Sequence, residues 1–257
     1  MIDEDGESLH EVVSRLRAAF EASFVREMLP GVVHNFANPL NGIMGRSSLV
    51  QRRMEAHMKK ISRGMEVSLD PAAGMMKDIE IISGVTDRLS EMLHVLSEKH
   101  QAVNDKTEQK INLSKHLSLE ARFFEFDLDF KHNVKKTLKL DENLPDVMGC
   151  PTDFSLALSA MMRHVVRATT GNSSREIFMA TGCEGGFVRM EVAFRGDGDS
   201  GVQDCSFEGT GEVDEDTPEF ALGAFLLAAN YAARARIVTE KGWVRFLVDI
   251  PCPKTGN

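Results

Sequence analysis

Two long apolar repeats in the first hundred residues constrain the fold more than any other feature of the sequence. In the first repeat, alternating steps of three and four residues meet an apolar side chain at eight of ten positions. This spacing is typical of a helix that buries one face, as in a coiled coil. The positions, called the first seam, are Leu29, Val33, Phe36, Leu40, Ile43, Ser47, Val50, Met54, His57 and Ile61.

The second repeat has the same spacing and is apolar at seven of nine positions. The segment SLDPAAG lies between the two repeats and contains proline and glycine, which favour a turn. The two repeats therefore predict an antiparallel helical hairpin over 29–105. The second seam consists of Met75, Ile79, Ile82, Thr86, Leu89, Leu93, Leu96, His100 and Val103.

The length of the two seams also predicts an oligomeric state. One hairpin cannot cover two apolar faces of this length, whereas two hairpins can pack as a four-helix bundle. We therefore predict a homodimer through the helices of residues 29–105. Residues 1–28 are predicted to form an N-terminal helix that leads into this bundle.

Residues 110–257 alternate helical and strand patterns after a polar junction at Lys106–Gln109. This alternation predicts an α+β sandwich, with helices on one face of a mixed sheet. Arg195–Thr217 is predicted to be an irregular loop rich in glycine and acids. The predicted helices are Ser114–Phe126, Pro151–Ala168 and Pro218–Ala233, and the predicted strands are Ile111–Leu113, Asn133–Leu140, Glu176–Thr181, Phe187–Phe194, Ile237–Thr239 and Val244–Ile250.

The composition excludes several functional classes. A net charge of −9 argues against nucleic-acid binding, because the phosphate backbone must be neutralised by Lys and Arg. No two of the four cysteines form a CxxC motif. We therefore predict reduced thiols, with neither a disulfide framework nor a metal site. The longest apolar stretch, 220–233, is too short to span a bilayer, and the N-terminus lacks a secretory pattern. We therefore expect a cytoplasmic protein without membrane insertion.

His34 lies one position past the first seam, and Asn38 and Asn41 also fall off the seam. These side chains are predicted to form a polar stripe on the outside of the bundle. A solvent-facing imidazole is mostly neutral at pH 7 and can attack a phosphoryl group. An amide one turn away can orient a phosphoryl oxygen or a water molecule. Pro39 lies inside the same helical pattern, where proline removes a hydrogen bond and favours a kink.

The segment HNFANPLNGI at 34–43 resembles the H box of histidine kinases, commonly written H-E-x-x-N-P-L. The segment 144–169 resembles the stretch leading into the N box of these kinases, and 220–251 resembles the closing helix and hairpin of their ATP-binding domain. The resemblance covers about residues 25–251. It implies that His34 is the phosphoacceptor, that Asn38 assists transfer, and that the partners are an upstream kinase and a response-regulator receiver domain.

The same resemblance shows departures at the positions that act on ATP. Asn35 replaces the acid that follows the phosphoacceptor in active kinases and serves as general base. Ala160 and His164 stand where the N box presents asparagines to magnesium and phosphates. These replacements predict a degenerate nucleotide site.

Two further boxes of the ATP domain are altered. Arg195-Gly196-Asp197 replaces the adenine-binding D-x-G, so Asp197 or Asp199 could serve only in a shifted register. Pro218–Gly223 is the best match to the final glycine box, typically G-T-G-L-G-L, and keeps only Leu222 and Gly223 of it. Gly209-Thr210-Gly211 is a displaced partial match. The remaining candidate nucleotide contacts are His164, Asp197, Asp199 and Gly223.

Charge supports the same interpretation. Residues 196–219 contain nine acids and neither Lys nor Arg, and they correspond to the lid over the triphosphate. Each acid near a phosphate adds about 1 kcal/mol of repulsion at 4 Å even in bulk water. In contrast, 46–63 carries six basic residues against Glu55, and this run is either a solvated face or a surface that steers an acidic receiver domain.

Three functions remain compatible with the sequence. The first is a histidine phosphotransferase that exchanges a phosphoryl group between His34 and a receiver aspartate, with no cofactor expected. The second is an ATP-dependent histidine kinase with divergent boxes, which would need ATP and magnesium. The third is a non-catalytic dimeric scaffold that binds response regulators. The first is separated from the second by Asn35, Ala160, His164 and the acidic loop. His34 separates the first from the third.

Overall fold

The protein forms two compact units in a computed structural model that describes residues 4–65, 70–171, 175–196, 205–207 and 217–252, with side chains from residue 9 onwards except within 205–207. The hairpin unit is Leu29–Ser97. The sheet unit combines Met1–Met28 with Glu98–Asn257. The N-terminal helical segment thus belongs to the same unit as the sheet.

The first seventy described residues are almost continuously helical. Helix α1 spans Glu4–Ser23, a π-helical turn follows at Phe24–Met28, and helix α2 spans Leu29–Ser62. Helix α3 spans Asp70–Asn104. Within the hairpin unit α2 and α3 are antiparallel, which confirms the predicted helical hairpin.

The sheet unit contains a six-stranded mixed sheet in the order β2-β4-β5-β8-β7-β6. Strands β2 and β4 are parallel, and every other neighbouring pair is antiparallel. Strands β1 and β3 form a separate antiparallel pair. The elements are β1 Gln109–Ile111, α4 Leu113–Phe124, α5 Leu128–Asn133, β2 Lys135–Lys139, β3 Val147–Gly149, α6 Pro151–Ala168, β4 Glu176–Glu184, β5 Phe187–Arg195, β6 Cys205–Phe207, α7 Glu219–Tyr231, β7 Arg234–Glu240 and β8 Trp243–Pro251.

This arrangement confirms the predicted mixed sheet with helices and adds three elements that the sequence patterns did not predict. Helix α5 begins at Asp127, whose side chain accepts a hydrogen bond from the Phe130 amide at 2.9 Å. Strand β3 is the second addition. Strand β6 is the third, and it lies inside the segment predicted to be an irregular loop.

The two faces of the sheet differ in chemistry because side chains alternate along each strand. The helix-covered face is apolar; on β8 it includes Phe246 and Val248. On the other face, Asp249 accepts from Arg189 Nε at 2.6 Å and from Arg236 Nη2 at 3.0 Å. These ion pairs link β5, β8 and β7 to one another on this face of the sheet.

A buried cation joins the end of α3 to the sheet unit. The Lys99 side chain is 2% exposed, and its ammonium group donates to Glu120 and, at 2.7 Å each, to the hydroxyls of Ser155 and Ser159. It also lies 5.2 Å and 5.4 Å from the ring centroids of Phe20 and Phe123. Burial lowers the pKa of Lys99, an effect that the Glu120 carboxylate opposes. Helices α1, α3, α4 and α6 therefore meet at one charge.

None of the helices in the described ranges combines the length and the apolar composition needed to cross a membrane.

The first prediction concerns His116 on α4. Burial, with a smaller contribution from Lys99, lowers the pKa of His116 to about 4. Between pH 6.5 and 4 the unfolded chain therefore binds a proton at this site that the folded chain does not, so stability falls as the pH falls. The His116 contribution to the loss in unfolding free energy is about 2 kcal/mol on going from pH 7 to pH 5.

Urea unfolding at both pH values checks this prediction. The variant His116→Gln should lose less stability between pH 7 and pH 5 than the unmodified protein, whereas His132→Gln, at an exposed histidine of the same unit, should lose as much as the unmodified protein. Equal losses for His116→Gln and the unmodified protein would show that His116 is not buried as a neutral group.

Candidate functional site

The predicted polar stripe is exposed on α2. His34, Asn38 and Asn41 are all exposed, and the Asn38 amide nitrogen lies 3.3 Å from His34 Nε2 and 3.5 Å from His34 Nδ1. The amide can therefore donate to whichever ring nitrogen is unprotonated. Spacing by four residues on a helix places these two side chains one above the other.

Asn35 has a different environment from its neighbour His34. Only 8% of Asn35 is exposed, so it lies away from the exposed stripe. Pro39 lies one turn further on, and helix α2 continues through it to Ser62. The chain thus presents an imidazole and an amide to solvent at this site, with the amide of Asn35 turned into the protein.

The hairpin beneath the site is held by an ion-pair cluster. Asp78 on α3 is 7% exposed and accepts from Arg46 Nη1 at 2.7 Å and from Arg53. Arg53 also donates to the Gly74 carbonyl at 3.2 Å. One buried carboxylate therefore ties two turns of α2 to α3.

This cluster divides the basic run of α2 into two groups. Arg46 and Arg53 are engaged with Asp78, so they serve the packing of the hairpin. The other basic side chains of 46–63 are exposed and remain available to an acidic partner: Arg52, Lys59, Lys60 and Arg63.

The second candidate site comprises Ala160 and His164 on α6, the positions that the sequence resemblance assigns to nucleotide binding. Ala160 is 0% exposed, and it belongs to an apolar cluster with Val12 and Leu16 of α1. Leu156, one turn before Ala160, belongs to the same cluster, together with Leu222 and Leu226 of α7. The face of α6 on which Leu156 and Ala160 lie is thus covered by apolar side chains of α1 and α7.

Polar contacts fix α1 in this position. Arg15 Nη2 donates to the Thr217 carbonyl at 3.2 Å, and Arg17 Nη2 donates to the Val103 carbonyl at 2.7 Å. At the π-helical turn, Glu27 pairs with Arg167 of α6 at 2.7 Å. This docking was missed from the sequence, although Leu9, Val12, Val13, Leu16 and Phe20 have the spacing of an apolar helix face.

His164 lies one turn after Ala160 and is surrounded by aromatic rings. Its ring centroid is 4.3 Å from that of Phe220 and 5.4 Å from that of Phe246. Burial, with help from Arg167, lowers the pKa of His164. The side chain therefore has the contacts of a neutral core histidine.

Gly223 has a packing role. A Cβ atom at this position would lie 3.0 Å from Ala157 Cα and 3.2 Å from the Ala157 carbonyl oxygen. Glycine therefore favours the close crossing of α7 over α6, since a side chain would force the Ala157 backbone to shift. Asp197, Asp199 and the Gly209-Thr210-Gly211 segment lie outside the described residues, as does most of the acidic loop.

The described residues at the nucleotide positions do not fit a magnesium–triphosphate group. Magnesium prefers oxygen ligands, whereas Ala160 offers none and His164 offers only a ring nitrogen against two phenylalanines. Among the residues whose positions are described, no cluster of three or more His, Cys, Asp or Glu has a metal-binding arrangement.

The described residues thus comprise a helical hairpin with an exposed histidine, followed along the chain by a mixed sheet with helices on one face. No family model and no curated protein matches the chain. Solved structures of histidine kinases do match. Acinetobacter baumannii AdeS is 13% identical over 86% of this chain and 98% of that chain, with a TM-score of 0.43.

Two structures of the histidine kinase ThkA are also similar. The ThkA catalytic domain is 14% identical over 56% of this chain and 97% of that chain, with a TM-score of 0.45. ThkA in complex with the response regulator TrrA is 16% identical over 95% of this chain and 66% of that chain, with a TM-score of 0.44. At these identities, the roles of individual residues rest on the geometry described above.

The second prediction tests the ion-pair cluster of Asp78 with Arg46 and Arg53 in the hairpin unit. Asp78→Asn removes the charge that holds Arg46 and Arg53, and it should lower the unfolding free energy by about 1–2 kcal/mol, a reduced value because both arginines are partly exposed. Urea unfolding measures the change. Asp87→Asn, at an exposed position of the same helix, is the matched control and should be nearly neutral. Equal stability of the two variants would contradict a structural role for Asp78.

Proposed function

We propose that the protein is a histidine phosphotransferase of two-component signalling, in which His34 exchanges a phosphoryl group with the aspartate of a response-regulator receiver domain. The observation that carries this proposal is the exposed His34 imidazole with the Asn38 amide 3.3 Å from its Nε2 atom. A receiver domain can approach this stripe directly from solvent.

The reaction needs little from this chain beyond a well-placed nucleophile. A neutral ring nitrogen of His34 attacks the phosphorus of an aspartyl phosphate in line, so a P–N bond forms as the P–O bond to the carboxylate breaks. The Asn38 amide donates to a transferring oxygen and stabilises charge that spreads over the phosphoryl group. The receiver supplies its own acidic residues and metal. The reverse transfer uses the same contacts.

The covered face of α6 favours a phosphoryl source other than ATP. Ala160 is buried against Val12 and Leu16, so a triphosphate at this face would first have to displace α1. That displacement would expose apolar side chains and break the pairing of Glu27 with Arg167. Asn35 also favours a source other than ATP, because its amide cannot accept a proton as the carboxylate of a general base does.

The exposed basic residues of α2 support docking of an acidic partner. Lys59, Lys60 and Arg63 are exposed and are not drawn into the Asp78 cluster. Such a patch accelerates encounter with an oppositely charged surface, and its effect weakens as salt rises. We propose that this patch steers the receiver domain toward the hairpin unit.

We also propose that the active species is a homodimer through the hairpin unit. Large apolar side chains of both seams remain exposed in the single chain: Val33 is 60% exposed, Met54 58%, Ile61 52% and Leu93 58%. Exposed apolar positions that repeat along a helix are typical of an uncovered interface. A second hairpin would cover them as a four-helix bundle.

The third prediction tests phosphoryl acceptance. Receiver domains of the source organism, phosphorylated with radiolabelled acetyl phosphate, should transfer label to the protein. His34→Ala should reduce this label to background, because no other nitrogen has the same placement beside Asn38. Asn38→Ala should slow transfer at least about tenfold, through loss of one oriented donor. His94→Ala, at another exposed histidine of the hairpin unit, is the matched control and should behave as the unmodified protein.

Each outcome separates the candidate functions. Transfer of label from γ-labelled ATP that is lost in His34→Ala would establish the kinase function. Binding of a receiver without any transfer would establish the scaffold function. Label retained in His34→Ala would overturn the proposed acceptor. Calorimetry with magnesium and ATP should show no saturable heat, because α1 covers Ala160 and Leu156.

The fourth prediction tests the dimer. Leu93→Glu places a charge in the proposed interface and should convert the dimer into a monomer at micromolar concentration by light scattering. The fold should persist by circular dichroism because this side chain is exposed in the single chain. Ser90→Glu, an exposed position of α3 outside the second seam, should remain dimeric. A monomeric unmodified protein would refute this assembly.

A further inference from the structure

Two thiols that are far apart in sequence meet at one end of the sheet. Cys183 Sγ and Cys252 Sγ are 3.6 Å apart, although 69 positions separate the residues along the chain. Cys183 is exposed and Cys252 is partly exposed, and neither thiol is in a disulfide bond. The pairing could not be predicted from the sequence, because no short Cys spacing marks it.

The backbone around the two thiols is fixed by the sheet. Cys183 lies near the end of β4 and pairs with Val188 of β5, which in turn pairs with Ile250 of β8. The Cys252 amide donates to the Gly186 carbonyl of the β4–β5 turn at 2.8 Å. The two sulfur atoms are therefore held together by the register of three neighbouring strands.

We propose that Cys183 and Cys252 are an oxidisable dithiol that hydrogen peroxide converts into an intramolecular disulfide. A disulfide bond is about 2.05 Å long, so the sulfur atoms need to approach by only about 1.5 Å. Their position at the sheet surface admits a small peroxide molecule without unfolding. This site is independent of His34 and of the proposed phosphotransfer.

The chemistry balances with peroxide as the two-electron oxidant. The Cys183 thiolate attacks one peroxide oxygen, which forms a sulfenic acid and releases the other oxygen as water after protonation. The Cys252 sulfur then attacks the sulfenic sulfur, so an S–S bond forms and the S–O bond breaks with loss of a second water. Two thiols and one hydrogen peroxide thus give one disulfide and two waters.

The surroundings of the two thiols indicate which sulfur reacts with peroxide first. Burial and the neighbouring Cys183 raise the pKa of the Cys252 thiol, which disfavours its thiolate. Cys183 is the more exposed of the two sulfurs and reaches solvent peroxide first. Cys252 then acts as the resolving thiol because it is already in contact with the oxidised sulfur.

Cys150 provides an internal control. Its thiol donates to the Lys106 carbonyl at 3.3 Å, and burial raises its pKa. Like the other two described cysteines, Cys150 is not in a disulfide bond. It should therefore keep its thiol under mild peroxide treatment.

The fifth prediction follows from this pair. Dilute hydrogen peroxide should remove two of the four thiols per chain in a count with a chromogenic disulfide reagent. Non-reducing peptide mapping should recover a linked pair of peptides containing Cys183 and Cys252, and dithiothreitol should restore both thiols. The oxidised protein with its intramolecular disulfide should also unfold at a higher temperature, because the bond closes a long loop.

Three variants give the decisive comparison. Cys183→Ser and Cys252→Ser should each abolish the linked peptide, whereas Cys150→Ser should form it as the unmodified protein does. Near-ultraviolet circular dichroism checks that each variant is folded. The proposal is overturned if the folded protein keeps all its thiols, if oxidation stops at a single cysteine, or if the linked peptides join other cysteines or two chains.

Discussion

The buried ammonium group of Lys99 is the interaction on which the sheet unit depends. A cation that is almost fully removed from water is stable only if its partners replace the lost hydration, and here Glu120, Ser155 and Ser159 do so. Removal of one partner from such a pair typically costs about 3–5 kcal/mol. Since Lys99 lies near the end of α3 and Phe20 of α1 packs over the same charge, the group joins the last turns of α3 and the N-terminal helix within the sheet unit.

The position of α1 determines which face of α6 is covered. With α1 fixed by Phe20, its residues Val12 and Leu16 pack with Ala160 and cover this face of α6, which the sequence resemblance assigns to nucleotide binding. The histidine on α2 does not depend on that face, because its neighbour Asn38 comes from the same helix. The chain therefore combines an exposed histidine with a covered face of α6, and the proposed phosphotransfer is argued from this combination.

Local signals in the sequence predicted much of this structure. Pro151–Ala168 is a helix with the predicted bounds because proline and an acid mark its first turn. The Lys241-Gly242 turn has positive φ at both residues and joins two strands as predicted. The exposure of His34 also follows from its place beside the seam. Docking of α1, burial of Asn35 and contact of Cys183 with Cys252 could not be predicted, because their partner surfaces come from distant segments.

The close crossing of α6 and α7 at Gly223 bears on what a glycine in a sequence motif can show about function. A Cβ atom at this position would lie 3.0 Å from Ala157 Cα, a tighter contact than most, so packing by itself favours glycine here. Helix packing thus accounts for this glycine without any contact to phosphate. A sequence motif that includes Gly223 is therefore not in itself evidence that the chain binds a nucleotide.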